Sequence, residues 1–410
     1  MSKAIQSVWG LASAWVQSPA EVSFSPIVMN YGDDGFSSAE EAEAAIVVRR
    51  AVTFSNLSVN VYANTLSTAA TTVYFRKNGA NGNQSVIVPA STSGVFTDST
   101  NSDVLASGDA YCISPNTASG GTGSMSIGGA NIVANDAAGA SVQFCITSDI
   151  NISLTASTTY YLGVAGLLNN NTVLASAEST IDVAGVWSGL SLHMASNARS
   201  SDTVFRVFIN GAAGNQTITV GAGGTGNFSD LVNTDTIAAG DKICIRMVAG
   251  TGTGAFGLRN IAATFVPSSG RKVPIITQNI AGRVKSGSLS IYAPLGGVVP
   301  STAYVESDVI IKPRFAGKAS YLRVTISANA ATTSQSFALR VNGASSALSV
   351  SIAPGTTGIF SNTSDEVTFT ATDNLNYLWT DGTSGGSTIV CASSLIEDTT
   401  GSGSSQVIFF

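Results

Sequence analysis

The sequence predicts an all-β protein of three tandem β-sandwich modules, jelly-roll or Ig-like in strand order. Three observations predict it: a gapless triplicate, strict two-residue alternation inside each copy, and turn residues at regular spacing. The copies are FRKNGANGNQSVIVPASTSGVFTDSTNSDVLASGD from Phe75, VFINGAAGNQTITVGAGGTGNFSDLVNTDTIAAGD from Val207 and LRVNGASSALSVSIAPGTTGIFSNTSDEVTFTATD from Leu339. The repeat is 132 residues, the step from Asn78 to Asn210 and again from Asn210 to Asn342. A period of that size is a domain and not a solenoid unit.

Each shared position has a physical reason. Asn-Gly between two alternating strands supplies the positive φ that a tight hairpin needs at both central residues. The incoming strand sets Val73, Phe205 and Phe337, then Phe75, Val207 and Leu339, on one face. The outgoing strand answers with Val86, Ile218 and Val350, then Val88, Val220 and Ile352, so these point inward and the intervening Ser and Thr outward. Gly94, Gly226 and Gly358 permit a sharp bend, and Phe96, Phe228 and Phe360 are expected to plug the core at that corner. Asp109 and Asp241 follow glycines as turn caps; Thr372 precedes Asp373, so a different turn is expected there.

Flanking strands repeat as well: FSNLSVNV around Leu57, WSGLSLHM around Leu190 and SYLRVTI around Leu322, each followed by an asparagine, Asn64, Asn197 or Asn329, expected in a turn. The stretches SFSPIVMNYG, YYLGVAG and IYAPLGG are expected to open the modules. The modules then run over residues 21–155, 156–272 and 273–400, with VPSSGRKVP as the clearest linker. Residues 1–20 place Ile5, Val8, Trp9, Leu11, Trp15 and Val16 at helix-like intervals, an amphipathic or irregular arm expected to dock on a neighbour. Helical periodicity is otherwise confined to residues 37–45. Residues 401–410 form a flexible lead ending in VIFF; Trp9, Trp15, Val16, Phe409 and Phe410 are the expected assembly contacts.

Composition narrows function. Charged residues make up 11% and the net charge is -6, with no basic run, which argues against nucleic-acid binding. No apolar run reaches the ~18–20 residues of a membrane helix. Cys112, Cys145, Cys244 and Cys391 show neither CxxC nor metal-like spacing and are expected to be buried thiols, with a Cys112–Cys145 disulfide as the alternative. One histidine, His193, leaves a zinc site short of ligands and sits mid-strand, a poor place for a triad base. GAGGTG at Gly221 has the glycine spacing of a phosphate loop but is followed by the corner FSD and no helix. Calcium is the one inorganic ligand the pattern suggests: Asp98, Asp103 and Asp109 share a loop system, and Asp230, Asp235 and Asp241 take the same places one module on. Turn capping explains the same six acids, and Asn362 and Val367 break the pattern in the third copy. No cofactor, metal or catalytic residue is therefore expected.

With its NGA turns, its GTTG corner before an aromatic, its low charge and its tandem sandwiches, the chain resembles capsid-surface, head-fibre and tail proteins of tailed bacteriophages. The resemblance covers the repeated core of each module and is one of style; it carries over no functional residue. It implies a non-enzymatic virion component, made in the host cytoplasm, partnered by other virion proteins and copies of itself. Host-surface or carbohydrate binding is the alternative, which exposed tryptophans at loop tips would favour; Trp187 and Trp379 lie in strands instead.

Overall fold

The computed structural model describes residues 4–8, 15–25, 41–135, 141–147, 151–167, 171–268, 272–278, 290–298, 305–306, 309–313, 315–381, 385–399 and 407–409. The all-β expectation holds, and the strand order is that of a jelly roll. In the second module Ser141–Thr147, Ala255–Pro267, Gly185–Asn197 and Gly226–Ile237 form one sheet in that spatial order. Thr159–Leu162, Asp241–Ala249, Thr203–Ile209 and Ala212–Val220 form the facing sheet. The third module repeats this with Lys272–Gln278, Ser387–Asp398, Gly317–Asn329 and Gly358–Phe369 against Ile291–Ala293, Leu375–Asp381, Gln335–Val341 and Ala344–Ile352. In the first module the pair is Ala4–Val8, Met125–Asn135, Val52–Asn64 and Gly94–Leu105 against Ile46–Val47, Ala110–Thr117, Thr71–Lys77 and Ala80–Val88. Consecutive strands thus alternate between sheets, apart from the central hairpin, which an Ig-like order does not do.

That topology corrects several expectations. Ala4–Val8 pairs with Asn131–Asn135 and Trp15–Gln17 with Met125–Ile127, so within the segment expected to be an arm these two stretches supply strands to the first module's own sheet. Val142–Thr147 pairs with Asn260–Phe265 and Asn151–Ser153 with Ala255–Gly257, which puts both stretches in the second module's sheet and not the first's. Thr159–Leu162 and Ile291–Ala293 are the second strands of their modules. Both ends of the expected linker lie in strands, Ala255–Pro267 of the second module and Lys272–Gln278, which opens the third. The C-terminal Val407–Phe409 lies parallel to Ser141–Gln143 and extends the second module's sheet. Of residues 37–45, the described part has a single helical turn, Glu41–Ala44, and residues 37–40 lie outside the described residues.

The cores sit between the facing sheets. Phe54, Phe75 and Tyr111 pack in the first with centroids 5.0–6.1 Å apart. Trp187, in the place of Phe54, stacks on Phe144 at 5.0 Å in the second. In the third, Phe337 meets Tyr377 at 5.1 Å, and Trp379 Nε1 donates to Gln335 Oε1 at 3.0 Å. Trp187 and Trp379 are each 1% exposed, so neither is a sugar platform. The inward residues of the hairpin strands are all buried, as the alternation requires, while Phe96, Phe228 and Phe360 are half-buried on edge strands and cover the core from its rim.

Candidate functional site

Three hydrogen-bonded devices recur with the repeat, and they account for the residues singled out above. The first is a clasp between the hairpin and the neighbouring turn. Asn78, Asn210 and Asn342 take φ of 49°, 49° and 51°, each followed by a positive-φ glycine. Each side-chain amide donates to an aspartate, Asn78 to Asp109 at 2.8 Å, Asn210 to Asp241 at 2.7 Å and Asn342 to Asp373 at 2.8 Å. Each Asn Oδ1 accepts a backbone N–H, from Ala110, Lys242 or Asn374. The other aspartate oxygen accepts the N–H three residues earlier, at Ala106, Ala238 or Thr370. The third turn therefore closes as the others do despite Thr372. Donation by Asn78 and then by the Ala106 N–H holds Asp109 below the ordinary carboxylate range; the Thr370 N–H and then Asn342 do the same for Asp373.

The second device is a bulge. Strand Val52–Asn64 carries a left-handed residue at Asn56, as its counterparts do at Gly189 and Tyr321. Register there skips from Ser55↔Ser102 to Leu57↔Asp98. Asp98 fills the bulge: its oxygens accept the N–H groups of Ser85, Thr100 and Asn101 and the Asn101 amide. Burial pushes the Asp98 carboxyl up, but the Asn101 amide and the backbone donors together bring it below its usual value. Asp230 repeats this arrangement with Thr217, Val232 and Asn233. Asp103, 3% exposed, accepts Asn83 N at 2.7 Å, Gln84 N at 3.1 Å and Gln84 Nε2 at 3.2 Å; Gln84 Oε1 in turn accepts Leu57 N at 3.0 Å. Asp235, Gln216 and Leu190 N form the same network.

The third module rewrites this network as a unit. Val367 stands for the aspartate and Leu348 for the glutamine. Ser346 stands where Gly82 and Gly214 lie, positions at which a Cβ would come within 2.6 Å of Asp103 and 2.7 Å of Asp235. Asn362 and Asp365 exchange the order of Asp98 and Asn101, so that Asn362 donates to the carbonyls of Ala347 and Ser349 where Asp98 accepts an N–H. These aspartates are accordingly acceptors for N–H groups inside the framework, a setting opposed to cation binding. The contacts of Asp98, Asp103, Asp109, Asp230, Asp235 and Asp241 are those of the turn-capping reading. Among the described residues, no three His, Cys, Asp or Glu side chains are grouped to hold a metal.

The third device is an asparagine brace. Asn64 donates to Pro89 O and Thr92 O, Asn197 to Gly221 O and Gly224 O, and Asn329 to Ala353 O and Thr356 O, all at 2.9–3.1 Å. GAGGTG is thus a strand connection pinned from below by Asn197 and leads into the strand Gly226–Ile237. His193 Nδ1 lies 2.8 Å from Asn227 Oδ1, a cross-strand contact. Cys112, Cys244 and Cys391 are buried free thiols, which removes the Cys112–Cys145 bridge; burial pushes all three thiols up, away from reactivity.

Contacts between modules were not foreseen from the sequence. Asn260 Nδ2 donates to Ala45 O at 3.3 Å across the first junction, and Ala262 completes the first module's core cluster. Across the second, the Cys391 thiol points at Glu178 O at 3.6 Å. Arg323 Nε lies 2.7 Å from both oxygens of Asp182, whose side chain is 5% exposed. Burial raises the Asp182 carboxyl while Arg323 opposes that shift. A cleft of about 360 Å³ opens at this junction, walled by Ser176, Glu178, Thr180 and Lys242 on one side and Thr325, Ser327, Thr357 and Val390 on the other. Of the expected assembly contacts, Trp15 and Val16 lie in an internal strand and Phe409 in the C-terminal one; Trp9 and Phe410 fall outside the described residues.

No protein-family model matches the chain, and no curated protein does. Among solved structures, a chain described as the triple jelly-roll fold and turret assembly in an archaeal virus aligns over 98% of this chain and 92% of its own, at 13% identity and a TM-score of 0.16. A likeness at that level carries no weight, and the jelly-roll assignment rests on the strand order above.

Proposed function

We propose that this chain is a non-enzymatic structural component of a virus particle of bacteriophage type, assembling through subunit contacts at the capsid surface or tail. One observation carries the reading: the repeated aspartates close a turn in all three modules and a bulge network in the first two, which leaves them as framework groups. What remains outside is edge strands and hydroxyl-rich faces, a surface suited to packing against neighbours. Exposed apolar side chains mark the outer strands of the sandwiches, with Ile87 at 64%, Val104 at 65%, Leu231 at 63% and Val232 at 88%. Partners are other virion proteins and further copies, and the site of action is the virion after synthesis in the host cytoplasm. Mass spectrometry and antibody labelling of purified particles test this; absence from every particle would remove it.

The cleft between the second and third modules supports a second reading, host-glycan binding, since Ser and Thr hydroxyls flank the Glu178–Lys242 pair, whose charges are 4.0 Å apart. Saturable glycan-array binding that Lys242→Glu abolishes would favour that reading over the first.

A further inference from the structure

The two junctions inside the chain are one interface used twice. Ala45 and Glu178 are equivalent, each preceding the short edge strand that pairs with the strand after the Asp109 or Asp241 turn: Ile46↔Tyr111 in one module and Ser179↔Ile243 in the next. Asn260 and Cys391 are equivalent as well, lying opposite His193 and Thr325 in register. So the edge of each module sits on the outer face of the following one, and the same carbonyl is met by the same position at both junctions. Such a contact is heterologous: it joins two different surfaces and leaves one of each unused at the ends of the array.

The unused edge belongs to the third module. Ile311 bridges Leu375 as Ser179 pairs with Ile243, so Ile310 takes the place of Ala45 and Glu178. Lys312 is exposed where Thr180 is 8% exposed, and nearby Val305 is 64% exposed. The unused face belongs to the first module, where Gly129 lies opposite Asn60 as Cys391 lies opposite Thr325. Two residues along the same strand Tyr62 is 44% exposed, at the position of Ser327, which lines the second junction. Among the described residues, therefore, neither end covers the other: Tyr62 and Lys312 both stay exposed.

We infer that the partner of residues 310–313 is a second copy of this chain, which receives them on the Asn60–Tyr62 side of its first module. Gly129 has no side-chain donor, so in this pairing its cross-strand neighbour Asn60 would supply the amide that meets the Ile310 carbonyl. The inference deepens the assembly reading above by naming partner and surfaces, yet it needs no particle to be tested.

Sedimentation velocity of the full chain over a concentration series is the experiment. Mass should climb above the 41.6 kDa of one chain, and Tyr62→Glu and Lys312→Glu should each raise the dissociation constant at least ~10-fold, the scale of one interface side chain. Mixing the two variants should restore a complex that stops at two chains, because each retains one intact surface. Should Tyr62→Glu fail to fold, Asn60→Asp blocks the same face. A chain that stays monomeric, an association indifferent to both variants, or a mixture that gives no dimer would overturn the inference. A chain found in particles but monomeric alone would sink this inference and leave the virion reading standing.

Discussion

Replacing Asp103 by valine, the residue of the third module, should destabilise the first module by about 3 kcal/mol. The change strands Gln84 N and Gln84 Nε2, both buried, and the half-buried Asn83 N. Each buried donor left unsatisfied costs ~1–3 kcal/mol, and partial burial of the new valine offsets roughly 1 kcal/mol. Gly82→Ser alone should also destabilise, since its Cβ would lie 2.6 Å from Asp103 Oδ1. The triple exchange Gly82→Ser, Gln84→Leu, Asp103→Val should recover most of the loss. It recreates the third module's solution, in which Ser346 Oγ donates to Leu339 O and accepts Leu348 N at 3.3 Å. Global unfolding of a three-module chain is not two-state, so the assay is hydrogen exchange of peptides from Ala80–Val88, which reports this module's own opening. Opening should quicken roughly 100-fold for Asp103→Val, following the ~1.4 kcal/mol per decade rule, and by less than ~10-fold for the triple variant. A triple variant as unstable as the sum of its parts, or a neutral Asp103→Val, would refute the argument that these three positions act together.

Further expectations concern the clasp, the junction and acid. Asn342→Ala should cost about 1–2 kcal/mol, combining a lost pair of hydrogen bonds with a left-handed φ that alanine resists; Asn342→Gly should cost less, and exchange across Gln335–Ile352 is the readout. Arg323→Ala leaves Asp182 buried without its cation and should loosen the second junction by about 2–4 kcal/mol, visible as faster proteolysis between the second and third modules, whereas Arg323→Lys should retain part of it. Asp98, Asp109, Asp230 and Asp373 all have folded-state values below those of the unfolded chain. Their stabilisation is complete above the unfolded value of about 3.9 and is lost as pH falls through the lower folded values, so thermal melts should hold near neutrality and drop steeply below pH ~4. Melting that rises on acidification across that window would contradict the assignment.

Much of this was legible in the sequence because the repeat is exact where the backbone is special. Asn78, Asn210 and Asn342 announce their turns from the Asn-Gly pair alone, and the two-residue alternation around Phe75, Val207 and Leu339 places the core. The first strand of each module was not legible. Ser141–Thr147 and Lys272–Gln278 are short and pair with strands more than a hundred residues later, so no local pattern marks them. The N-terminal strand was misread for a related reason: Ile5, Val8 and Trp9 satisfy helical spacing, and only pairing with Met125–Asn135 decides between the two periods. The aspartates are legible as turn caps, but their particular partners are not. Carboxylates gathered in loops look alike whether they await a cation or an N–H, and the decisive partner of Asp103 is the glutamine of a neighbouring strand. The joint exchange of Gly82, Gln84 and Asp103 for Ser346, Leu348 and Val367 was the signal that could have shown it.

The pairing of Val407–Phe409 with Ser141–Gln143 has a consequence for how the molecule is made. A rim of the middle module stays open until synthesis has passed residue 407, by which time the third module has been translated. Chains broken off earlier would leave that rim bare, with unanswered N–H and C=O groups available to any passing strand. Val407–Phe409 thus shields an edge of the middle module, and a chain lacking it is expected to associate more readily through that edge.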